Sequence, residues 1–150
     1  EALDAAFALD EKVAVEENIT GVEVGCAVVG DAVHGIRMGE VDEIVVHGDG
    51  FFRIHLERTG CQHRAPLPVR APCRCARAHT SVGRTVYEAL NCSGFARVDL
   101  FVTPEGEVVF NEVNSTPGMT YYSRFPQMMR VAGHELGEVL ADLIDTRLGL

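Results

Sequence analysis

The chain has 150 residues, 47% of them hydrophobic and 23% charged, which is ordinary for one globular domain with a core of its own. Its formal net charge of −9 argues against non-specific binding to nucleic acid or to an anionic membrane surface. No apolar run approaches the length of a membrane span, and five cysteines without a framework spacing are typical of a reducing compartment. We therefore expect a cytoplasmic protein that does not bind membranes.

The first third of the chain predicts one helix followed by short strands. Residues 1–10 have a helical pattern, and alternating or continuous apolar runs bounded by glycine predict the strands. The predicted extended segments are Lys12–Glu17, Val22–Val29, one or two strands within Val33–Val46, and Phe51–Leu56 after the turn His47–Gly50.

Residues 58–84 have an unusual composition. They hold six of the twelve arginines, three of the five cysteines and no Asp or Glu, in a chain whose net charge is −9. Pro66, Pro68 and Pro72 exclude a helix through 65–72. Two explanations stay open: a diverged loop without fixed structure, or a frameshift that returns to frame near Gly83-Arg84. From Thr85 onward the pattern is again that of a helix.

The same segment offers a zinc site as a rival interpretation. Its soft donors are Cys61, His63, Cys73, Cys75 and His79, and four such ligands can close a tetrahedral site. The spacing departs from the usual two-residue gap, so the pattern is weak.

The stretch 94–120 carries the chemistry. Phe95–Val102 and Val108–Val113 alternate in polarity around Pro104-Glu105-Gly106, which predicts a β-hairpin. A four-residue loop from Pro104 to Glu107 sets Asp99 opposite Glu112 and Arg97 opposite Asn114.

In that register two carboxylates, an amide oxygen and a guanidinium converge on one face. Hard oxygen ligands of this kind suit Mg²⁺, which takes one or two carboxylates together with substrate phosphates. The alternative is a solvated hairpin face with two unrelated acids. After the hairpin we expect a helix over Tyr122–Ala132, broken near Pro126, and a last amphipathic helix from Gly133. The elements together predict an α+β domain over 1–150, an antiparallel sheet with helices packed on one face.

Several motifs together resemble the C-terminal part of D-alanine–D-alanine ligases, in the ATP-grasp superfamily. They are R-V-D-L-F at Arg97, N-E-V-N-S-T-P-G-M-T at Asn111, and S-R-F-P at Ser123. Gly39-Glu40-Val41-Asp42-Glu43-Ile44 and Phe52-Arg53-Ile54-His55 most resemble the D-alanine–D-lactate ligases of vancomycin resistance. The family's enzymes are longer, so the chain is expected to be a C-terminal fragment, the second half of an ATP-grasp fold.

The resemblance implies an ADP-forming ligase that joins D-alanine to D-lactate or D-alanine for peptidoglycan precursor synthesis, using ATP and Mg²⁺ (or Mn²⁺). Family members are commonly homodimers. Another ATP-grasp carboxylate–amine ligase and a non-catalytic ATP-binding module are the alternatives. With one lysine, Lys12, the chain lacks the family's phosphate-binding lysines, so we expect it not to ligate by itself.

The resemblance also implies roles for single residues. Asp99, Glu112 and Asn114 match metal ligands, and Glu16 and Glu23 match residues at the adenine and the ribose. Arg97 and the backbone N–H of Gly118 match an oxyanion site. Ser123 and Arg124 match residues that face the second substrate's carboxylate. His55, which titrates near neutral pH, is expected to favour D-lactate at low-to-neutral pH and D-alanine as pH rises.

Overall fold

A computed structural model describes residues 1–44 and 76–148, with side chains from His79 onward in the second range. The helices and strands in chain order are α1 (Ala2–Phe7), β1 (Val22–Asp31), β2 (Gly35–Met38), β3 (Asp42–Ile44), α2 (Ala76–Ala89), β4 (Gly94–Val102), β5 (Val108–Asn114), α3 (Arg124–Val131) and α4 (Leu136–Leu148). None of the helices in these two ranges is long and apolar enough to cross a membrane.

The described strands form one antiparallel sheet in the order β2-β1-β4-β5. Strand β3 also pairs with β1, at Glu23 to Gly25, while β2 pairs further along β1 at 28–31. Strand β1 is therefore central, with β2 and β3 end to end along one side and β4 along the other. The predicted α+β class with an antiparallel sheet is confirmed.

Helices cover both faces of this sheet, so the expectation of helices on one face only is wrong. On one face Cys26, Val28 and Val98 pack against Tyr87 of α2. On the other, Ala27 and Val29 pack with the buried side chains of α3 and α4, which are Phe125, Met128, Met129 and Val139. Residues 24–29 of β1 are all buried because helices cover the strand on both faces. A strand in that position has a continuous apolar run instead of alternating apolar and polar residues.

Two buried polar side chains of the α2 face serve the core. The Tyr87 hydroxyl donates to the Gly30 carbonyl at 2.7 Å, and burial raises the pKa of Tyr87 to about 12. Burial, reinforced by the charges of Asp42 and Asp99, raises the pKa of Cys26 to about 12 as well. At neutral pH both groups are neutral, and we assign neither of them a chemical role.

The β4–β5 hairpin has the predicted register at the site, but its turn and its strand pairing differ from the prediction. Near the turn Val102 pairs with Val108, so five residues, 103–107, connect the strands rather than the predicted four. The pairing then steps from Leu100–Phe110 to Asp99–Glu112, which leaves Asn111 as an extra residue, a β-bulge. The bulge offsets the longer turn, and Asp99 still pairs with Glu112 and Arg97 with Asn114, as predicted.

Other local expectations need correction. Lys12–Glu17 is not a strand: the segment has neither helix nor strand in the structure, and Val15 is 79% exposed. Pro126 does not break α3, because it is the third residue of the helix, where its missing N–H has no partner to lose. Helix α2 begins at Ala76, earlier than the expected resumption near Gly83.

Candidate active site

One row of residues crosses four strands on the α3 face of the sheet. Asp42 of β3 pairs with Gly25 of β1, Gly25 pairs with Asp99 of β4, and Asp99 pairs with Glu112 of β5. Neighbouring strands lie about 4.8 Å apart, so three carboxylates and one residue without a side chain fall on a single line. Such a line of acids is stable only if cations lie among them.

The first cation is Arg97, two residues before Asp99 on the same face of β4. Its Nε donates to Asp99 Oδ1 at 2.7 Å and its Nη2 to Oδ2 at 2.6 Å, a bidentate pair. The Asp99 side chain is only 1% exposed and that of Arg97 17%. Because the pair is nearly dry, each charge depends on the other for its stability.

Asn114 links the two carboxylates of the hairpin. Its Nδ2 donates to Asp99 Oδ2 at 2.9 Å and to Glu112 Oε1 at 3.0 Å, while Glu112 itself is exposed. The oxygen set of Asp99, Glu112 and Asn114 fits the hard donors that Mg²⁺ prefers. Asn114 contributes an oxygen only after its amide turns over, which places Oδ1 where Nδ2 now lies.

The second cation is Arg124, the first residue of α3. Its Nε donates to Asp42 Oδ2 at 2.7 Å and its Nη2 to Asp42 Oδ1 at 2.6 Å. Both side chains are largely buried, 14% and 11% exposed. This pair joins β3 to α3 across 82 residues of sequence. Asp42 was not among the predicted site residues.

Glu23 lies on the same face of β1, two residues before Gly25. Burial raises the pKa of Glu23, and the negative charge of Asp99 raises it further, while Arg124 and Arg97 oppose the shift. For Arg124, desolvation lowers the pKa, but the hydrogen bonds and charge of Asp42, with Asp99 and Glu23, raise it overall. Four carboxylates face two guanidiniums on this surface, a net charge of −2 that suits a divalent cation.

The loop between β5 and α3 closes on Ser123. The Ser123 Oγ accepts a hydrogen bond from the Thr120 N–H at 3.1 Å and lies 2.8 Å from Thr120 Oγ1. A Cβ on Gly118 would lie 2.8 Å from that Oγ. Glycine at 118 therefore lets the loop fold over the serine without a side chain between them.

The structure brings together Arg97, Asp99, Glu112 and Asn114, with Glu23 and Arg124 beside them. Glu16 is exposed in a stretch without helix or strand, and its predicted role at the adenine stays a prediction.

His55 lies outside the described residues, as do the zinc candidates Cys61, His63, Cys73 and Cys75. His79 is described and is 5% exposed. Within 1–44 and 76–148 no three His, Cys, Asp or Glu side chains form a metal cluster, so the candidate metal site depends on the Asn114 amide.

This antiparallel sheet with its helices is the C-terminal half of an ATP-grasp fold. The chain belongs to the D-Ala–D-Ala ligase C-terminal family: the family model described as "D-ala D-ala ligase C-terminus" matches residues 1–145.

Individual relatives support the same assignment. The chain is 44% identical to a putative D-alanine–D-lactate ligase of Streptomyces coelicolor over 93% of this chain and 41% of that protein. It is 40% identical to the vancomycin/teicoplanin A-type resistance protein VanA of Enterococcus faecium, over 95% of this chain and 42% of the relative. Among solved structures, the VanG D-Ala:D-Ser ligase of Enterococcus faecalis matches with a TM-score of 0.74 and 40% identity, over 95% of this chain and 42% of that one. The chain thus spans about two-fifths of the length of these relatives.

Proposed function

We propose that this chain is the nucleotide- and acceptor-binding half of an ATP-dependent ligase that joins D-alanine to D-lactate or D-alanine. The observation that supports this most is the hairpin register, which pairs Asp99 with Glu112 and Arg97 with Asn114 on one face. The dipeptide or depsipeptide product would feed peptidoglycan precursor synthesis in the cytoplasm, and we expect a homodimer.

Glu23 would bind the nucleotide on this face. Its carboxylate is a pure acceptor when ionised, which suits the two hydroxyls of a ribose. Glu16 would lie near the adenine. Asp99, Glu112 and Asn114 would hold Mg²⁺, which when bound neutralises the charge of the ATP phosphates and orients them.

The proposed reaction has two steps. A carboxylate oxygen of the first D-alanine attacks the γ-phosphorus of ATP, the bond to the bridging oxygen breaks, and ADP leaves. The amine or hydroxyl of the second substrate then attacks the carbonyl carbon of the acyl phosphate, loses its proton, and phosphate leaves. Arg97 and the Gly118 N–H would donate to the oxyanion of the tetrahedral intermediate.

Arg124 and Ser123 would recognise the carboxylate of the second substrate. The bonds from Nε and Nη2 to Asp42 fix the orientation of the Arg124 guanidinium. A guanidinium held in this way can bind a substrate carboxylate with directed hydrogen bonds. His55 would add a preference: as imidazolium it attracts the single negative charge of D-lactate and repels the ammonium of D-alanine. A reference pKa of about 6.5 places this switch near neutral pH.

The test is ADP release by the full gene product, measured with D-alanine and with D-lactate as acceptor. We expect release that requires D-alanine, ATP and Mg²⁺ together, and its loss in Asp99→Asn. ATP binding without any turnover, by a protein shown to be folded, would favour the non-catalytic module instead. Turnover with other acids and amines but not with D-alanine would favour another ATP-grasp ligase.

A further inference from the structure

Gly25 occupies the centre of the acidic row, between Asp42 on β3 and Asp99 on β4. A Cβ at this position would lie 2.4 Å from Arg124 Nη2, 2.7 Å from Asp42 Oδ1 and 3.2 Å from Asp99 Oδ1. The first two distances are shorter than any van der Waals contact. No other residue type leaves room for the Arg124–Asp42 pair as it stands.

Backbone conformation does not explain this glycine. Among the described glycines, those with positive φ are Gly30, Gly35, Gly94, Gly106 and Gly133, and Gly25 is not one of them. A glycine inside a central strand weakens the strand and usually marks a close approach of another group. Here the approaching group is the guanidinium of Arg124, which lies directly over β1.

The space above Gly25 determines where Arg124 can be. Asp42 accepts from the Nε–H and from one of the two Nη2 N–H groups, so both Nη1 N–H groups and the second Nη2 N–H remain for a ligand as far as the described residues go. A methyl group on residue 25 would push Nη2 off Asp42 and turn the guanidinium away from the row. The Asp42 carboxylate, only 11% exposed, would then lose its partner.

We propose that Gly25 is a positioning residue for the acceptor carboxylate: by lacking a side chain it lets Arg124 lie against β1, bidentate on Asp42, in the one orientation that binds the second substrate. The inference rests on the proposed function. It adds a residue of β1 that determines acceptor binding without itself contacting the substrate or the metal. It also predicts that Gly25 acts only through Arg124.

The first experiment measures KM and kcat of Gly25→Ala in the full gene product. We expect the KM for D-lactate or D-alanine as acceptor to rise about tenfold or more, the range of one charge-assisted bond, with the KM for ATP nearly unchanged. In an Arg124→Met background, Gly25→Ala should add nothing further. An equal loss in both backgrounds, or a fall in kcat alone, would overturn the proposal.

Gly83→Ala is the matched control. Its Cβ would lie 2.8 Å from Cys26 Cβ and 2.9 Å from Cys26 Sγ, so this variant also introduces a close contact, but on the opposite face of β1. We expect it to lower the melting temperature and leave the acceptor KM unchanged. A similar rise in acceptor KM for Gly83→Ala would mean that general loss of packing, not Arg124, explains the Gly25 variant.

A second measurement does not need ligase activity. Denaturant unfolding of the wild type, Asp42→Asn, Arg124→Gln and the double variant gives the coupling between the two side chains. We expect this coupling to correspond to roughly a threefold or larger factor in the unfolding constant. In the Gly25→Ala background that coupling should vanish; coupling that persists there would refute the proposed geometry. If the wild type does not ligate, the proposed function fails, yet this cycle still tests whether Gly25 makes room for the Arg124–Asp42 pair.

Discussion

Asp99 and Glu112 are direct cross-strand partners, and the Asn114 amide donates to both carboxylates at 2.9 and 3.0 Å. Two like charges directly opposite in a sheet destabilise it. The two carboxylates share this repulsion, which the Arg97 charge beside Asp99 and the solvent around the exposed Glu112 both reduce. A cation bound by the two carboxylates, as proposed above, would remove the repulsion that remains.

We predict that Glu112→Gln abolishes most of the ligase activity of the full gene product without lowering its stability. The substitution relieves repulsion with Asp99 but removes one anionic ligand, so turnover should fall by about a hundredfold or more. The measurement is ADP release beside thermal melting with and without Mg²⁺-ATP. The variant should lose the stabilisation that Mg²⁺-ATP gives the wild type.

Glu105→Gln is the control for that experiment, because Glu105 is an exposed acid in the turn of the same hairpin. It should match the wild type in both assays. Wild-type turnover in Glu112→Gln, or unchanged stabilisation by Mg²⁺-ATP, would remove Glu112 from the metal site.

The hairpin illustrates how far the sequence predicts this site. Alternation and the Pro-Glu-Gly turn predict the pairing of Asp99 with Glu112, although the turn is one residue longer than expected and Asn111 forms a bulge. The two differences cancel at the site. A bulge depends on side-chain packing on both faces of the strand, and local polarity does not encode it.

Glu23 gives a prediction about pH. Its pKa is raised in the folded state above the ordinary value of 4.5, mainly by burial and then by Asp99. Below about pH 4.5 both states hold the proton and the group costs nothing. As pH rises through the folded pKa the group must ionise in a place that disfavours its charge, so wild-type stability falls relative to a Glu23→Gln variant.

We therefore predict that Glu23→Gln is more stable than the wild type at pH 7, and that this advantage disappears as the pH falls toward 4. The measurement is the free energy of unfolding between pH 4 and 8 in EDTA and without nucleotide. The same Glu23→Gln variant should bind ATP more weakly, since it loses an ionised acceptor for the ribose. An advantage that is constant with pH would contradict the charge explanation.

Gly118 and Gly137 make a matched pair of substitutions to alanine. At Gly118 a methyl group would lie 2.8 Å from Ser123 Oγ, so it should displace the serine from Thr120 and reduce turnover by about tenfold. At Gly137, in α4, a methyl group meets nothing within 4 Å. Gly137→Ala should stabilise the protein by about 0.5 kcal/mol and leave activity unchanged.

Initial rates with both acceptors and melting curves for the two variants check this prediction. If both variants lose activity equally, the closeness of Gly118 to Ser123 is irrelevant to turnover. If Gly118→Ala is fully active, Ser123 either tolerates the displacement or has no part in the reaction.

Asp42 and Gly25 show what the sequence could not supply. Asp42 lies in a motif that carried the family resemblance, but its partner Arg124 is 82 residues away, and no local periodicity connects them. In the sequence, Gly25 is only an interruption of the apolar run of β1. Its position between Asp42 and Asp99 becomes evident only from the pairing of β1 with β3 and β4. Both residues meet Arg124 of α3, which is far away in the sequence, and a single sequence does not show those contacts.

The last prediction concerns Arg97, which we propose acts on the oxyanion and which also neutralises Asp99. The Asp99 side chain is 1% exposed, so Arg97→Met leaves a buried carboxylate without its cation. Breaking a buried pair from one side costs about 3–5 kcal/mol, and the remaining Asn114 bond favours the low end, so we expect a loss of about 3 kcal/mol. Removing the orphaned charge as well, in Arg97→Met/Asp99→Asn, should recover about 2 kcal/mol of it.

Ligase activity should be lost in both variants, because the double change restores stability without restoring either the oxyanion donor or the metal ligand. Denaturant unfolding and ADP release, measured side by side, separate the two roles. Arg84→Met is the control: the Arg84–Glu88 pair is 50% and 43% exposed, and such a surface pair contributes less than about 1 kcal/mol. If Arg97→Met costs no more than Arg84→Met, the Arg97–Asp99 pair is not the buried electrostatic unit described above. If the double variant is no more stable than Arg97→Met, the cost of the single change lies in lost packing of the arginine stem rather than in the orphaned charge of Asp99.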